Sequence, residues 1–202
     1  MGRLLGCVLT LALAMLCAVQ TAAARGTDLA QQEVSGLPVS VALPTSWQFV
    51  VVPDSVTPAV LKQLVAIDPM ASMLANASVK QAGIRLLGNE PVRKGHFAAN
   101  VNLIVTLLPR GYTLRSWFFG GSSAALQYAG TTTRISSKTT PGLHYQSTRV
   151  EKYGKVPLLT DIYAFAYKGR VFDFTYTSLA SEAGRYLPTF VASGRSIYFA
   201  TP

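Results

Sequence analysis

The chain has 202 residues, of which 50% are hydrophobic and 13% are charged, and its net charge is +9 at pH 7. This length fits one domain with one hydrophobic core. The two cysteines, Cys7 and Cys17, both lie within the first 24 residues. This placement excludes a disulfide, a thiolate metal site and a cysteine nucleophile from the rest of the chain.

Residues 1–24 are predicted to form a secretory signal peptide. They contain one early cation, Arg3, an apolar run over residues 4–19, and small alanines at the end that suit cleavage. An apolar run of this length is too short for a stable membrane span. Cleavage near Ala24 would leave a secreted or periplasmic protein without an integral membrane span, and an uncleaved N-terminal anchor is the alternative.

The charge of the exported part is strongly positive. Loss of Arg3 leaves seventeen basic and nine acidic residues, a net charge of +8. Such a charge attracts nucleic acid, anionic lipid headgroups or acidic polysaccharide, and export argues against nucleic acid. Most basic residues stand alone, so a solvated surface and a face that binds an anionic polymer both remain open. Close groups occur at Arg93 and Lys94, at Lys152 and Lys155, and at Lys168 and Arg170.

The exported part divides into a flexible N-terminal arm, residues 25–36, and a single α/β domain, residues 37–202. The arm is polar and aperiodic, which is typical of weak order. The domain opens with VSVAL and WQFVVV on either side of a Pro-Thr-Ser turn, and this pattern predicts a hairpin of two short strands. Trp47 is expected in the core.

The middle of the domain is predicted to alternate helices and strands. Two Thr/Asp-Pro pairs between residues 57 and 69 each predict the start of a short amphipathic helix, and the second helix carries methionines that could line a groove. Residues 83–87 (GIRLL) predict a strand, and AANVNLIVTLLP predicts a long central strand. Thr113 is a candidate N-cap for a helix that the glycines at 120–121 would kink or break.

The last third predicts an antiparallel meander. The β-rich runs TTTRISSK, LHYQSTRVEKYG, VPLLTDIYAFAYKGR and VFDFTYTS are separated by turn signals. Lys168-Gly169 suits a two-residue turn because glycine tolerates the positive φ that such a turn requires. A closing helix that contains Pro188 and a short terminal strand complete the chain.

Four segments in this order resemble a known superfamily. They are VSVALPTSWQFV, AANVNLIV, IYAFAYKGRVFDFTYTS and RYLPTFVASGRSIYF, and together they resemble the PsbP-like superfamily, above all its exported bacterial branch of LpqN-type proteins. The resemblance implies an α+β fold, an α/β/α sandwich whose central, mostly antiparallel sheet is flanked by helices. It also implies an exported, non-enzymatic binding or accessory module, and it transfers no functional residue.

Few residues offer catalytic chemistry. The segment GGSSA lacks the G-x-S-x-G pattern, and neither His96, expected in an exposed loop, nor His144 sits in a recognisable catalytic arrangement. Asp161 and Asp173 can face each other across the last hairpin, where like charges would repel unless a cation such as Arg149 intervened. No metal and no cofactor is expected, because two isolated histidines without cysteine make a poor ligand set.

Three hypotheses about function therefore stand. The leading one is an exported, non-catalytic binding or accessory protein of the bacterial cell envelope or extracellular space, with an unknown protein or envelope ligand as its partner. The second is a hydrolase that uses the polar face of the C-terminal meander, for which Asp161, Asp173 and His144 are the residues to test. The third is charge-driven attachment to an anionic envelope polymer. No catalytic, metal-binding or ligand-binding residue is assigned.

Overall fold

The computed structural model describes residues 28–52, 59, 62–63, 83–93, 96–120, 130–135, 144–153 and 155–200. Within these residues the strands are β1 (Leu29–Glu33), β2 (Val39–Pro44), β3 (Gln48–Val51), β4 (Ile84–Asn89), β5 (Asn100–Leu107), β6 (Gly130–Ile135), β7 (His144–Tyr153), β8 (Val156–Tyr167), β9 (Arg170–Leu179) and β10 (Tyr198–Phe199). The helices are α1 (Leu114–Gly120) and α2 (Ala183–Arg195), and a 3₁₀ turn (Ala180–Glu182) precedes α2.

The strands form two antiparallel sheets. The large sheet has seven strands in the order β3-β4-β5-β9-β8-β7-β6, and the small sheet has the order β1-β2-β10. The predicted strands at 83–87 and 98–109 and the C-terminal meander all appear in the large sheet. The prediction of an α+β fold with a mostly antiparallel central sheet is confirmed.

The hairpin between β8 and β9 has the predicted two-residue turn. Tyr167 pairs with Arg170, and the two residues between them have positive φ angles, 47° for Lys168 and 72° for Gly169. Positive φ at both central positions matches the twist of the turn to that of the flanking strands. This turn fixes the register of the whole hairpin.

One face of the large sheet carries the main core. Leu103, Phe174 and Tyr163 lie side by side on β5, β9 and β8, and all three are fully buried. Helix α2 and the small sheet cover this face, and Phe190 of α2 is at the centre of the contact. Trp47 is in this core as predicted, with its ring edge-on to that of Phe190 at 6.4 Å between centroids.

Helix α1 packs on the opposite face of the large sheet. Leu114 contacts a small cluster with Tyr145, Ala164 and Val171, and the ring of Phe118 stacks on that of Tyr145 with 5.4 Å between centroids. The helix ends at Gly120, within the glycine pair predicted to interrupt it. The residues that follow lie outside the described part of the chain.

Two predictions for the N-terminal region are wrong. The segment expected as a flexible arm forms β1, which pairs with β2 from Leu29↔Pro44 to Glu33↔Ser40. The expected hairpin of β2 and β3 does not form, because β1 and β10 occupy both edges of β2. The turn that begins at Pro44, where Trp47 N–H donates to its carbonyl at 3.0 Å, instead carries the chain from one sheet to the other.

Two further predictions fall largely outside the described residues. The signal peptide, residues 1–24, is one of them. For the two helices predicted after residue 57, only Ala59, Lys62 and Gln63 are described, and all three are helical. The methionines of the second helix lie outside the described residues, so the groove proposed there stays a prediction.

The start of α1 has a reciprocal cap that gives a testable prediction. Ser116 N–H donates to Thr113 Oγ1 at 3.1 Å, and Thr113 N–H donates to Ser116 Oγ at 2.8 Å. Thr113→Ala removes one acceptor and should lower the free energy of unfolding by about 1 kcal/mol. Urea denaturation measures this change, and Thr113→Ser, which keeps the hydroxyl, should be close to wild type. An equal loss in both variants would contradict the capping role.

Candidate functional site

The three residues predicted for a hydrolase are not brought together. Asp161 pairs with Tyr176, whereas Asp173 pairs with Ala164. Asp173 is three positions from the partner of Asp161, and because side chains alternate along a strand, the two carboxylates lie on opposite faces of the sheet. The prediction that they face each other is therefore wrong. The reason is the register set by the two-residue turn.

His144 is also remote from Asp161 along the sheet. Its backbone pairs with Phe165, four residues along β8 from Asp161, a distance of about 13 Å at the usual rise per residue. The backbone register therefore gives no compact arrangement of a histidine and two carboxylates.

Asp161 lies on the core face and is completely buried. Its carboxylate accepts hydrogen bonds from Thr148 Oγ1 at 2.7 Å and Gln146 Nε2 at 3.1 Å, and the same Gln146 nitrogen donates to the Tyr163 hydroxyl at 2.8 Å. Burial raises the pKa of Asp161, and these hydrogen bonds oppose the increase. The carboxylate has no exposed surface and is held by hydrogen bonds from β7, so its role is structural.

A second buried link joins the sheet, α2 and the small sheet. The Tyr176 hydroxyl is 2.8 Å from Ser193 Oγ, and Ser193 Oγ donates to the carbonyl of Ala42 at 2.5 Å. These hydrogen bonds satisfy polar groups in the core and fix how α2 lies on the sheet.

Asp173 lies on the other face of the sheet, the one that carries α1. Thr175 Oγ1 donates to Asp173 Oδ1 at 3.0 Å. Burial raises the pKa of Asp173 to about 6, while the Thr175 hydrogen bond and the positive charge of Arg149 act in the opposite direction. The compensating cation predicted for the pair of carboxylates therefore acts on Asp173.

A small polar pocket lies between the loop after β4 and the start of α2. Glu90 links the loop to α2, since it accepts a hydrogen bond from Arg185 Nη2 at 2.9 Å and another from the Tyr186 hydroxyl. The volume of about 30 Å³ suits a single water molecule, not an organic substrate. Its lining residues are Glu90, Pro91, Arg93, His96, Phe97, Ala98, Glu182, Arg185 and Tyr186. His96 is exposed in this loop, as predicted.

A larger, shallow apolar groove of about 370 Å³ lies along α2 beside its contact with the core. None of its described lining residues has a polar side chain. They are Ala183, Gly184, Leu187, Pro188 and Val191. The spacing i, i+1, i+4, i+5 and i+8 forms one stripe on a helix. The buried stripe contains Tyr186, Phe190, Ser193 and Gly194. It lies directly beside the groove stripe, since Ala183 and Leu187 also pack against the main core. Helix α2 thus carries one broad apolar band, and its part at Gly184 and Pro188 is exposed.

The sequence interpretation missed this groove. It identified the closing helix from Pro188 but not the width of its apolar band. The spacing of Leu187 and Val191 next to the core positions Tyr186 and Phe190 was the available signal. Which part of the band meets the core depends on the tertiary contact of α2.

The described residues contain neither a cluster of metal ligands nor a membrane-spanning helix. Among these residues no three histidine, cysteine or acidic side chains lie close enough together to form a metal site. None of the helices in the described part of the chain is both long and apolar enough to cross a membrane.

Comparison with known proteins gives a likeness in structure alone. No protein-family model and no curated protein sequence matches the chain. The cyanobacterial PsbP (CyanoP) of Synechocystis sp. PCC 6803 superposes with a TM-score of 0.53 at 10% identity, over 88% of this chain and 96% of that one. The Ran-binding protein Mog1p of Saccharomyces cerevisiae gives 0.52 at 8% identity, over 86% and 96%.

A third solved structure comes from a bacterium. LpqN of Mycobacterium tuberculosis, described as involved in cell envelope biogenesis, gives a TM-score of 0.50 at 9% identity, over 86% of this chain and 92% of that one. The resemblance to the PsbP-like and LpqN-type fold is confirmed. At these identities the likeness is one of fold.

Proposed function

We propose that this chain is an exported, non-catalytic binding or accessory protein of the bacterial cell envelope or extracellular space, and that the groove on α2 receives the apolar part of a protein or envelope ligand. The groove carries the proposal. It is built from aliphatic residues, glycine and proline, and its volume of about 370 Å³ lies within the range of sites that hold small ligands.

The PsbP-like α/β/α sandwich is part of the same proposal. Helix α2 and the small sheet cover one face of the large sheet, and α1 lies on the other. A sandwich of this kind is a rigid support for a surface helix, because the inner stripe of α2 is anchored by Phe190 and Ser193. Gly184 and Pro188 of the groove are exposed beside this anchor.

The structural neighbours support binding over catalysis. One is named as a Ran-binding protein and another as involved in cell envelope biogenesis. We extend to this chain the general activity of binding and the envelope location, and neither neighbour's partner. The opposite-face placement of Asp161 and Asp173 favours the binding hypothesis over the hydrolase, because a glycosidase or acid–base pair needs both carboxylates at one substrate.

The test is native mass spectrometry of the protein purified gently from the envelope or culture medium of its host. Wild type is expected to retain an extra mass. Gly184→Arg should lose it, because a Cβ at this position meets nothing within 4 Å and the long side chain would enter the groove without disturbing the core. Gly184→Ala is the matched control and should retain the mass. A bare wild-type protein, or equal retention by all three, would contradict the proposal.

The same spectrum tests export. If the predicted signal peptide is removed, the polypeptide mass corresponds to a chain that begins at Arg25. A mass that includes residues 1–24 would favour the N-terminal anchor instead.

A further inference from the structure

One end of the large sheet carries a group of exposed basic and apolar residues, which we call the basic tip. Its members are Leu107, Arg110, Tyr112, Arg115, Lys168 and Arg170. Two contacts bring the loop after β5 to the β8–β9 turn. Leu107 pairs with Arg170, and Leu108 N–H donates to the carbonyl of Gly169 at 2.9 Å.

The tip has charge of one sign. Arg110, Arg115, Lys168 and Arg170 are all exposed, and no acidic residue is exposed on the described parts of the loop, α1 and turn that form it. Like charges clustered from three different elements add up to a stronger positive potential than isolated surface cations produce.

Two acidic residues on or next to the strands of the large sheet do not neutralise the tip. Asp173 is partly buried and lies within the sheet. Glu90 follows β4 at Asn89, whose neighbours across the sheet are Asn100 and then Thr177, seven residues along β9 from Arg170. Glu90 is therefore at the opposite end of the sheet, where acidic and basic residues are mixed.

The tip also exposes apolar side chains that a solvated basic surface does not need. Leu107 is 74% exposed and Tyr112 is 53% exposed. At the same turn the Lys168 ammonium lies over the Tyr167 ring at 5.4 Å from its centroid. Leucine and tyrosine beside cations match the two layers of a membrane surface, since the cations meet lipid headgroups and the apolar groups enter the interface below.

We propose that the basic tip docks the protein on a bilayer surface rich in anionic phospholipid. The cations alone would suit any polyanion, but Leu107 and Tyr112 gain from burial only when an apolar layer lies behind the charge. The surface is separate from the groove on α2. Helix α2 starts after the end of β9, and the tip is at the start of β9, so a docked protein keeps the first turns of α2 accessible.

The test compares binding to two kinds of vesicle. One contains phosphatidylglycerol and phosphatidylcholine at 30:70 (about one-third anionic lipid), and the other contains phosphatidylcholine alone. The protein is the form recovered from its host, and all variants share its N-terminus, so any contribution of that segment cancels. Wild type should bind the anionic vesicles and release them as salt rises, because screening weakens the headgroup attraction.

Variants distinguish the tip from net charge. The triple variant Arg110→Gln, Lys168→Gln and Arg170→Gln should lose on the order of a hundredfold in affinity, since each cation near an anionic bilayer contributes about fivefold. The control with the same change of charge is Arg93→Gln, Lys152→Gln and Lys155→Gln at the opposite end of the sheet, and it should change affinity far less. Thermal unfolding checks that both variants fold.

An apolar variant separates a bilayer from a soluble polymer. Leu107→Ser with Tyr112→Ser should weaken vesicle binding by roughly tenfold or more and leave binding to soluble polyphosphate unchanged. Failure of wild type to bind anionic vesicles would overturn the proposal, as would equal losses in the two triple variants. Polyphosphate binding with no vesicle effect of the apolar variant would assign the tip to an anionic polymer instead. Salt-sensitive binding by wild type is a readout that depends on no variant.

Discussion

Gly194→Ala is expected to lower the free energy of unfolding by about 3 kcal/mol, although alanine is the better helix former. A Cβ at this position would lie 2.2 Å from Cζ and 2.3 Å from Cε2 of Tyr163. The Tyr163 ring is held in place on two sides. Its hydroxyl accepts a hydrogen bond from Gln146, and its ring is perpendicular to that of Tyr176 with 5.9 Å between centroids. The helix must therefore move away from the sheet. Urea denaturation measures the loss.

The same helix supplies a matched control. A Cβ at Gly184 meets nothing within 4 Å, so Gly184→Ala should raise stability by about 0.5–1 kcal/mol through helix propensity alone. A double variant provides a further check. Tyr163→Leu with Gly194→Ala should cost less than the two changes summed, because the smaller side chain relieves the overlap. A neutral Gly194→Ala, or strict additivity, would show that α2 does not pack against Tyr163 in this way.

Asp173→Asn is expected to stabilise the protein at neutral pH by up to about 3 kcal/mol relative to wild type. Burial raises the pKa of Asp173 from 3.8 to about 6, so the folded protein binds this proton more tightly than the unfolded chain. The stabilisation from that proton is complete below about pH 4 and is lost as pH rises through about 6. The asparagine keeps an oxygen that can accept the Thr175 hydrogen bond without carrying charge.

The measurement compares urea unfolding of wild type and Asp173→Asn between about pH 4 and pH 8. The difference in free energy of unfolding between Asp173→Asn and wild type should increase from pH 4 to pH 6 and then stay constant, because only wild type loses a proton at this position. Glu33→Gln is the control, since Glu33 is an exposed carboxylate on β1, and its curve should run close to that of wild type. Parallel curves for wild type and Asp173→Asn would mean that the buried site does not perturb Asp173.

The apolar band of α2 shows what hydrophobic periodicity can predict and what it cannot. Periodicity identified this helix and the strands around it, since burial on one face imposes a repeat of 3.6 or 2 residues. It did not reveal the groove, because a helix with a wide apolar band satisfies the same repeat. Contact of Phe190 and Gly194 with the core decides which part of the band remains exposed.

The two candidate aspartates also show what the sequence predicts and what it leaves undetermined. The sequence analysis placed Asp161 and Asp173 on the last hairpin, and in the structure both are partly or fully buried with raised pKa values. It assigned them wrongly to one site. A shift of one residue in strand register exchanges the two faces of a sheet, and a pattern of alternating residues leaves that shift undetermined until the turn geometry is known.

The sequence by itself determined the β-rich α+β class, the antiparallel meander, the Lys168-Gly169 turn and the cap at Thr113, because each depends on backbone preferences and contacts within a few residues. Tertiary structure alone decided that β1 joins β2 and that β2 and β3 belong to different sheets. It also gathered Arg110, Lys168 and Arg170 at one end of the large sheet. These features arise from pairing between distant segments, and sheet edges accept many partners until the whole core selects one.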